Sequence, residues 1–330
     1  MKRVSHWQGI AVTLAGAMSL SLLGASMGTS SVAASVKASG SDWRLAQASS
    51  ESQQPPAQPA VSQPEPTQPE LEPAQLEPEP AQPTPQFATF QDWCYAKDTL
   101  SAAAQHTVSV LLEELRTEDC IEANRRASLL TLLNLTGRGL SDIAPLSTLP
   151  LLAELVLHDN QISDLRPLAK LPNLSRLYLS SNQITDVSPL APLEKLRFLV
   201  LIDNQITSLQ GLGALTSLKE LYLSDNQVTD LSELATLTNL EKLYLTRNQI
   251  TDVSPLSSLA ALRVLDLSSN QIRDVGLLAN LINLQQLNLN RNQVSDAAPL
   301  RSLSSLQQLY LYNNPVRNFF CPNTNAAVCI

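Results

Sequence analysis

Leucine recurs through the second half of the chain at three fixed places in a 22-residue period. The period is marked by asparagine at Asn160, Asn182, Asn204, Asn226, Asn248, Asn270, Asn292 and Asn314. The residues eight, five and three before each are leucine, as in Leu174, Leu177 and Leu179 before Asn182. The same leucines precede Arg138, one period ahead of Asn160, so there are nine units. Leu177 and Leu179 alternate with Arg176, Tyr178 and Ser180. That period of two is a short strand with one buried face. A lone strand cannot bury its leucines, so each unit must stack on the next, in a parallel sheet spaced at about 4.8 Å.

The asparagine sits where the chain leaves the strand and turns inward. Its amide both donates and accepts, which suits backbone groups left open by a buried turn. Further apolar columns follow, as in Ile184, Val187, Leu190 and Leu193. Ser188-Pro189 reads as the N-cap and first residue of a 3₁₀ or helical turn on the outer side. Asp142, Asp164, Asp186, Asp230, Asp252, Asp274 and Asp296 form a column four after the asparagine. Calcium needs six to eight converging oxygens, which one Asp per unit does not supply.

Ahead of the repeats, Val108, Leu111, Leu112 and Leu115 space an amphipathic helix over Thr99 to Arg116, with a second helix near Glu118 to Ala127. These cap one end of a solenoid that otherwise exposes leucine. Phe319 and Phe320 are placed to cover the other.

The segment 35–86 has another character. Eleven of the 21 prolines lie between Ser49 and Gln86, among Gln, Glu and Ala. Such a segment buries too little apolar surface to fold, and reads as a stalk or an inert tether. Residues 1–34 begin with Lys2 and Arg3, then an apolar run from Ile10 to Leu23, then Val32-Ala33-Ala34. That is the plan of a secretory signal, cleaved there or kept as a membrane anchor. The domain plan is thus 1–34 signal, 35–86 linker, 87–130 helical cap, 131–316 repeats and 317–330 C-terminal cap.

Charge narrows the partners. From Phe87 onward there are 18 Lys and Arg against 23 Asp and Glu, with no basic face of the kind nucleic acid demands. Cys94, Cys120, Cys321 and Cys329 are an even set, fitting disulfides in an exported chain. Three connectivities are open, and locality along a rigid solenoid favours Cys94–Cys120 and Cys321–Cys329. His6, His106 and His158 are scattered, so neither a metal site nor a cofactor is expected. His158 lies beside Asp159, but no cysteine or second histidine falls at the equivalent positions of neighbouring units, and catalysis is not expected.

Units such as LYLSSNQITDVSPL (Leu177 to Leu190) and LYLTRNQITDVSPL (Leu243 to Leu256) resemble the 22-residue leucine-rich repeat subfamily. Bacterial internalins and the eukaryotic phosphatase-1 regulatory subunit share that repeat. The resemblance implies an α/β repeat solenoid, a horseshoe with a parallel concave β-sheet, convex 3₁₀ or short helical turns and a helical N-terminal cap. It also implies a non-enzymatic scaffold that binds a protein on its concave face. The exposed concave positions are then six, four and two before each asparagine. They carry Tyr178, Phe198, Val200, Ile202, Tyr222, Tyr244, Tyr310 and Tyr312, the expected partner-binding residues. Five of the six tyrosines fall on that face, and tyrosine is enriched at binding hot spots. The expected protein is an extracytoplasmic monomer, periplasmic, surface-held or secreted. An intracellular phosphatase regulator and a glycan-binding surface protein are the other readings.

Overall fold

The structure is a computed structural model that describes residues 87–317 and the backbone of 328–329. These lie in a compact unit, Glu77–Ile330. The signal, the linker, Phe319, Phe320 and the side chains of Cys321 and Cys329 are outside the described residues.

Nine three-residue strands lie side by side in chain order. They are Leu132–Asn134 (β1), Glu154–Val156 (β2), Arg176–Tyr178 (β3), Phe198–Val200 (β4), Glu220–Tyr222 (β5), Lys242–Tyr244 (β6), Val264–Asp266 (β7), Gln286–Asn288 (β8) and Gln308–Tyr310 (β9). All pair in parallel with a register shift of one repeat, so Leu177 aligns with Leu155 and Leu199. Val328–Cys329 (β10) returns to pair with β9 and covers the sheet's last edge. Each strand and the turn after it form one coil, numbered by its strand.

The core is one stack of leucine columns. Leu174, Leu177, Leu179, Ile184, Val187 and Leu190 of coil 3 are all fully buried, and their counterparts repeat this. Burial of apolar surface at about 25 cal/mol per Å² is the main stabilising term, and coils 2 to 8 each contribute the same columns.

The turns explain the polar columns. Gly137 and eight non-glycine residues, from Asp159 and Ser181 through Asn313, take left-handed conformations, each one residue before the marker position. This bends the chain off the strand and inward. The Asp column then opens the outer 3₁₀ turns. All seven carboxylates accept the backbone N–H two residues on, as Asp186 does from Ser188 at 2.9 Å. Ser188 is therefore not the cap. It is the first residue of the turn Ser188–Leu190, Pro189 is second, and the capping carboxylate comes from Asp186. In coil 4, where Ser208 stands in this column, its hydroxyl accepts the Gln210 N–H in the same way at 3.3 Å.

The cap has three helices rather than the two expected. Phe90–Tyr95 (α1) is too short to show a periodicity, but Thr89 and Asp92 form a capping box at its start. Ala102–Leu115 (α2) begins at the Ser101 cap and stops at Arg116, which is left-handed, so it is shorter than the apolar spacing suggested. Cys120–Ala127 (α3) starts at the Asp119 cap. Cys94 and Cys120 are disulfide-bonded, tying α1 to α3. Where the marker asparagine is missing, Arg138 links coil 1 to α2. Its guanidinium meets Glu113 at 2.7 Å, and its carbonyl accepts from His106 Nε2 at 2.7 Å.

A candidate recognition surface on the inner sheet

Parallel strands in strict register place equivalent residues in lines across the inner sheet. The line four before each marker reads Asn134, Val156, Tyr178, Val200, Tyr222, Tyr244, Asp266, Asn288, Tyr310. The leucines between them point into the core, so this line and its two neighbours form the solvent side.

The marker asparagines tie each coil to the one before it beneath this surface. Asn182 Nδ2 donates to the carbonyls of Leu157, Leu179 and Ser180 at 2.9, 3.1 and 3.1 Å. Its Oδ1 accepts the Ile162 N–H at 3.0 Å. Each ladder asparagine repeats this scheme, from Asn160 to Asn314. Those from Asn160 to Asn292 are at most 8% exposed.

On this frame an aromatic run crosses coils 2 to 6. His158 meets the Tyr178 ring edge-on at 5.5 Å. Tyr178 lies 5.0 Å from Phe198, and Phe198 lies 5.3 Å from Tyr222. Tyr222 and Tyr244 stack at 4.6 Å with ring planes 7° apart. Coil 4 carries valine on the tyrosine line, and Phe198, two residues earlier on the same face, bridges the gap. Val200 is consequently only 8% exposed, so it offers a partner little surface and acts as a floor between the rings. Ile202 is half-buried on the neighbouring line.

Tyr310 and Tyr312 do not join the run. Asp266 and Asn288 stand between Tyr244 and Tyr310, and Tyr312 is 68% exposed on the last coil. The five tyrosines share a face, yet only three belong to the patch.

Two charged side chains that sequence reasoning passed over complete it. The Arg176 guanidinium lies 4.9 Å from the Phe198 ring centre, donates to the Tyr178 hydroxyl at 2.9 Å and approaches Glu154 at 3.5 Å. The Tyr222 hydroxyl donates to Glu220 at 2.8 Å. Burial first, then that bond, raises the Tyr222 phenol well above its usual range, so it is a donor at any physiological pH. The signal for both was an arginine or glutamate two residues before a tyrosine on one strand face.

His158 is not arranged for acid–base work. Its Nδ1 accepts the Ser180 N–H at 3.1 Å, and burial lowers its pKa. It is a neutral ring with one nitrogen occupied. Among the described residues no cluster of three His, Cys, Asp or Glu is placed to hold a metal ion.

Matches to the family model described as leucine-rich repeats, two copies, cover residues 150–192, 194–236, 216–258, 238–281, 260–302 and 282–322, just over half of the chain. The chain belongs to the leucine-rich repeat family. Among solved leucine-rich repeat structures, internalin C2 of Listeria monocytogenes is 32% identical over 67% of this chain and 91% of that one, with a TM-score of 0.55. An internalin of the same organism, InlF, is 29% identical over 65% and 70%, with a TM-score of 0.54. The ectodomain of the Arabidopsis thaliana receptor kinase GASSHO1/SCHENGEN3, in complex with Casparian strip integrity factor 2, is 28% identical over 55% of this chain and 24% of that one, with a TM-score of 0.50. No curated protein sequence matches the chain. These relatives agree with a leucine-rich repeat horseshoe, an architecture commonly used as a protein-interaction scaffold.

Proposed function

We propose that this chain is an exported, non-catalytic recognition protein that binds a protein partner through its concave face, acting as a monomer. The observation that carries this is the aromatic run Tyr178, Phe198, Tyr222, Tyr244. Rings held side by side by a rigid sheet lose little entropy on binding, and such residues dominate interface energetics. Half-burial by neighbouring rings pre-orders them further. Export is supported by the Cys94–Cys120 disulfide, since such bonds persist in oxidising compartments. It is supported too by the charged and apolar start of the sequence. The same disulfide disfavours an intracellular phosphatase-regulator role. The GASSHO1/SCHENGEN3 ectodomain is a precedent for a repeat of this architecture engaging a partner.

A glycan reading is less well supported. A sugar needs a free ring face to lie on, and Tyr222 and Tyr244 turn a face of each toward the other. What they offer are edges, hydroxyls and the one Tyr244 face turned toward Asp266, a mixed polar and apolar surface that suits a protein.

The test is the double variant Tyr222→Ala with Tyr244→Ala, assayed by pull-down of the partner from the extracytoplasmic fraction. It should keep the parent's circular dichroism and lose the partner, since truncating central anchors costs about 2 kcal/mol or more. A double variant that captures the partner as well as the parent would show that another surface is used.

A further inference from the structure

The aromatic run has two ends, and they are built differently. At the coil 3 end, cation, ring and carboxylate all come from the chain itself: Arg176 sits over Phe198, with Glu154 3.5 Å from the guanidinium. At the coil 6 end, Tyr222 covers one face of Tyr244. On the other side of Tyr244, in register on the next strand, is Asp266. Ring and carboxylate are present there, but the nearby cations are turned away. Lys242 reaches back to Glu220 at 3.1 Å, and Arg247 pairs with Asp225. Among the described residues Asp266 makes no ion pair.

The charge on Asp266 is not needed for the fold. Its carboxylate accepts the Ser268 N–H at 2.9 Å, the Ser268 hydroxyl at 2.6 Å and the Asn288 amide at 3.0 Å. The same position does the same structural task in coils 1 and 8 with a neutral amide. Asn134 accepts the Thr136 N–H at 3.0 Å, and Asn288 accepts the Asn290 N–H at 3.1 Å. An amide suffices to brace this turn, so the carboxylate at 266 adds a negative charge beside an aromatic ring and nothing more that the backbone requires. Its field is felt at the ring: burial first, then the charges of Glu220 and Asp266, raise the Tyr244 phenol.

We propose that Tyr244 and Asp266 form a subsite for a basic side chain, arginine or lysine, of the protein partner. Neighbouring strands about 4.8 Å apart allow one cation to lie within about 6 Å of the ring centre while touching the carboxylate. The partner would supply at this end what Arg176 supplies at the other. The subsite rests on the concave-face reading and sharpens it from a patch to a defined contact.

The experiment is selection of a phage-displayed random dodecapeptide library on the full chain, with selected peptides then measured on the parent, Asp266→Asn and Tyr222→Ala. Peptides that depend on Tyr222 should share a basic residue and bind Asp266→Asn about tenfold more weakly. Replacing that basic residue by glutamine should cost the same on the parent and nothing further on Asp266→Asn. The peptide-side change leaves the protein's fold untouched, and an unchanged melting midpoint checks the Asp266→Asn variant. Peptides that need Tyr222 but bind Asp266→Asn undiminished would overturn the subsite and leave the concave reading standing. So would peptides whose basic residues can be replaced without loss. Peptides indifferent to Tyr222→Ala as well would overturn both.

Discussion

Two lines of side chains cross the same coils four residues apart, and they obey opposite rules. The ladder line is asparagine in coils 2 to 9, nearly buried, with each amide bonded to backbone atoms of its own coil and the one before. The concave line is Asn, Val, Tyr, Val, Tyr, Tyr, Asp, Asn, Tyr on an equally regular backbone. The ladder position repeats because its partners are main-chain groups, which are identical in every coil. The concave position varies because the strand tolerates many residue types there, and only in coils 1, 7 and 8 does its side chain brace the following turn. In this chain the monotonous column therefore reports on folding, and the varied column carries the residues on which the proposed recognition rests.

The largest effect lies where the ladder is missing. Coil 1 has Arg138 in place of asparagine and leans on the cap, whose α1 and α3 are joined across a sequence separation of 26. Cys94→Ser should cost about 3 kcal/mol by the loop-closure argument, read from urea denaturation. A loss within error would mean that the array holds its first coil unaided.

Next comes the ladder itself. Asn226 donates to the Leu201, Leu223 and Ser224 carbonyls and accepts from Ile206, so Asn226→Ala strands several buried groups. It should cost about 1–3 kcal/mol, whereas exposed Gln227→Ala should stay within about 0.5 kcal/mol. Equal denaturation midpoints for the two would erase the distinction between the lines.

A smaller effect, of opposite sign, is expected one residue before the ladder. Ser269 is left-handed at φ 58°, a conformation glycine adopts without strain. Ser269→Gly should stabilise by about 0.5 kcal/mol, the relief of strain exceeding the added entropy of the unfolded chain. A loss of stability instead would show that the Ser269 side chain braces the turn.

The smallest concerns pH. His158 has its pKa lowered below the usual 6.5, chiefly by burial, so the folded state binds its proton less readily than the unfolded chain. Its stabilising contribution is complete above about pH 6.5 and declines as the pH falls below that value. The parent's midpoint should drop through this window more than that of His158→Gln. Parallel pH profiles would show the ring to be freely solvated.

Much of this was open to reading from the chain alone. The 22-residue period, the alternating leucines and the asparagine placed the strands, the stacking and the face each residue takes, because parallel strands in register turn sequence spacing directly into position. The cysteine pair at the cap was legible from locality. The six-residue α1 was not, being shorter than two helical turns. The Asp column was seen, but its capping task was given to serine, since reach around a turn is a matter of geometry.

What the sequence by itself determined was thus the repeat, its core and the candidate surface as a set of lines. Only the tertiary structure decided which members of those lines touch. Ring stacking, the bridging by Phe198 and the burial of Val200 depend on how side chains from different coils lean across a gap of about 4.8 Å. Whether Arg176 turns toward a ring, and whether Lys242 and Arg247 turn away from Asp266, is set by rotamers that no spacing rule encodes. Spacing in the chain fixes where a side chain starts, and packing against its neighbours fixes where its polar end finishes.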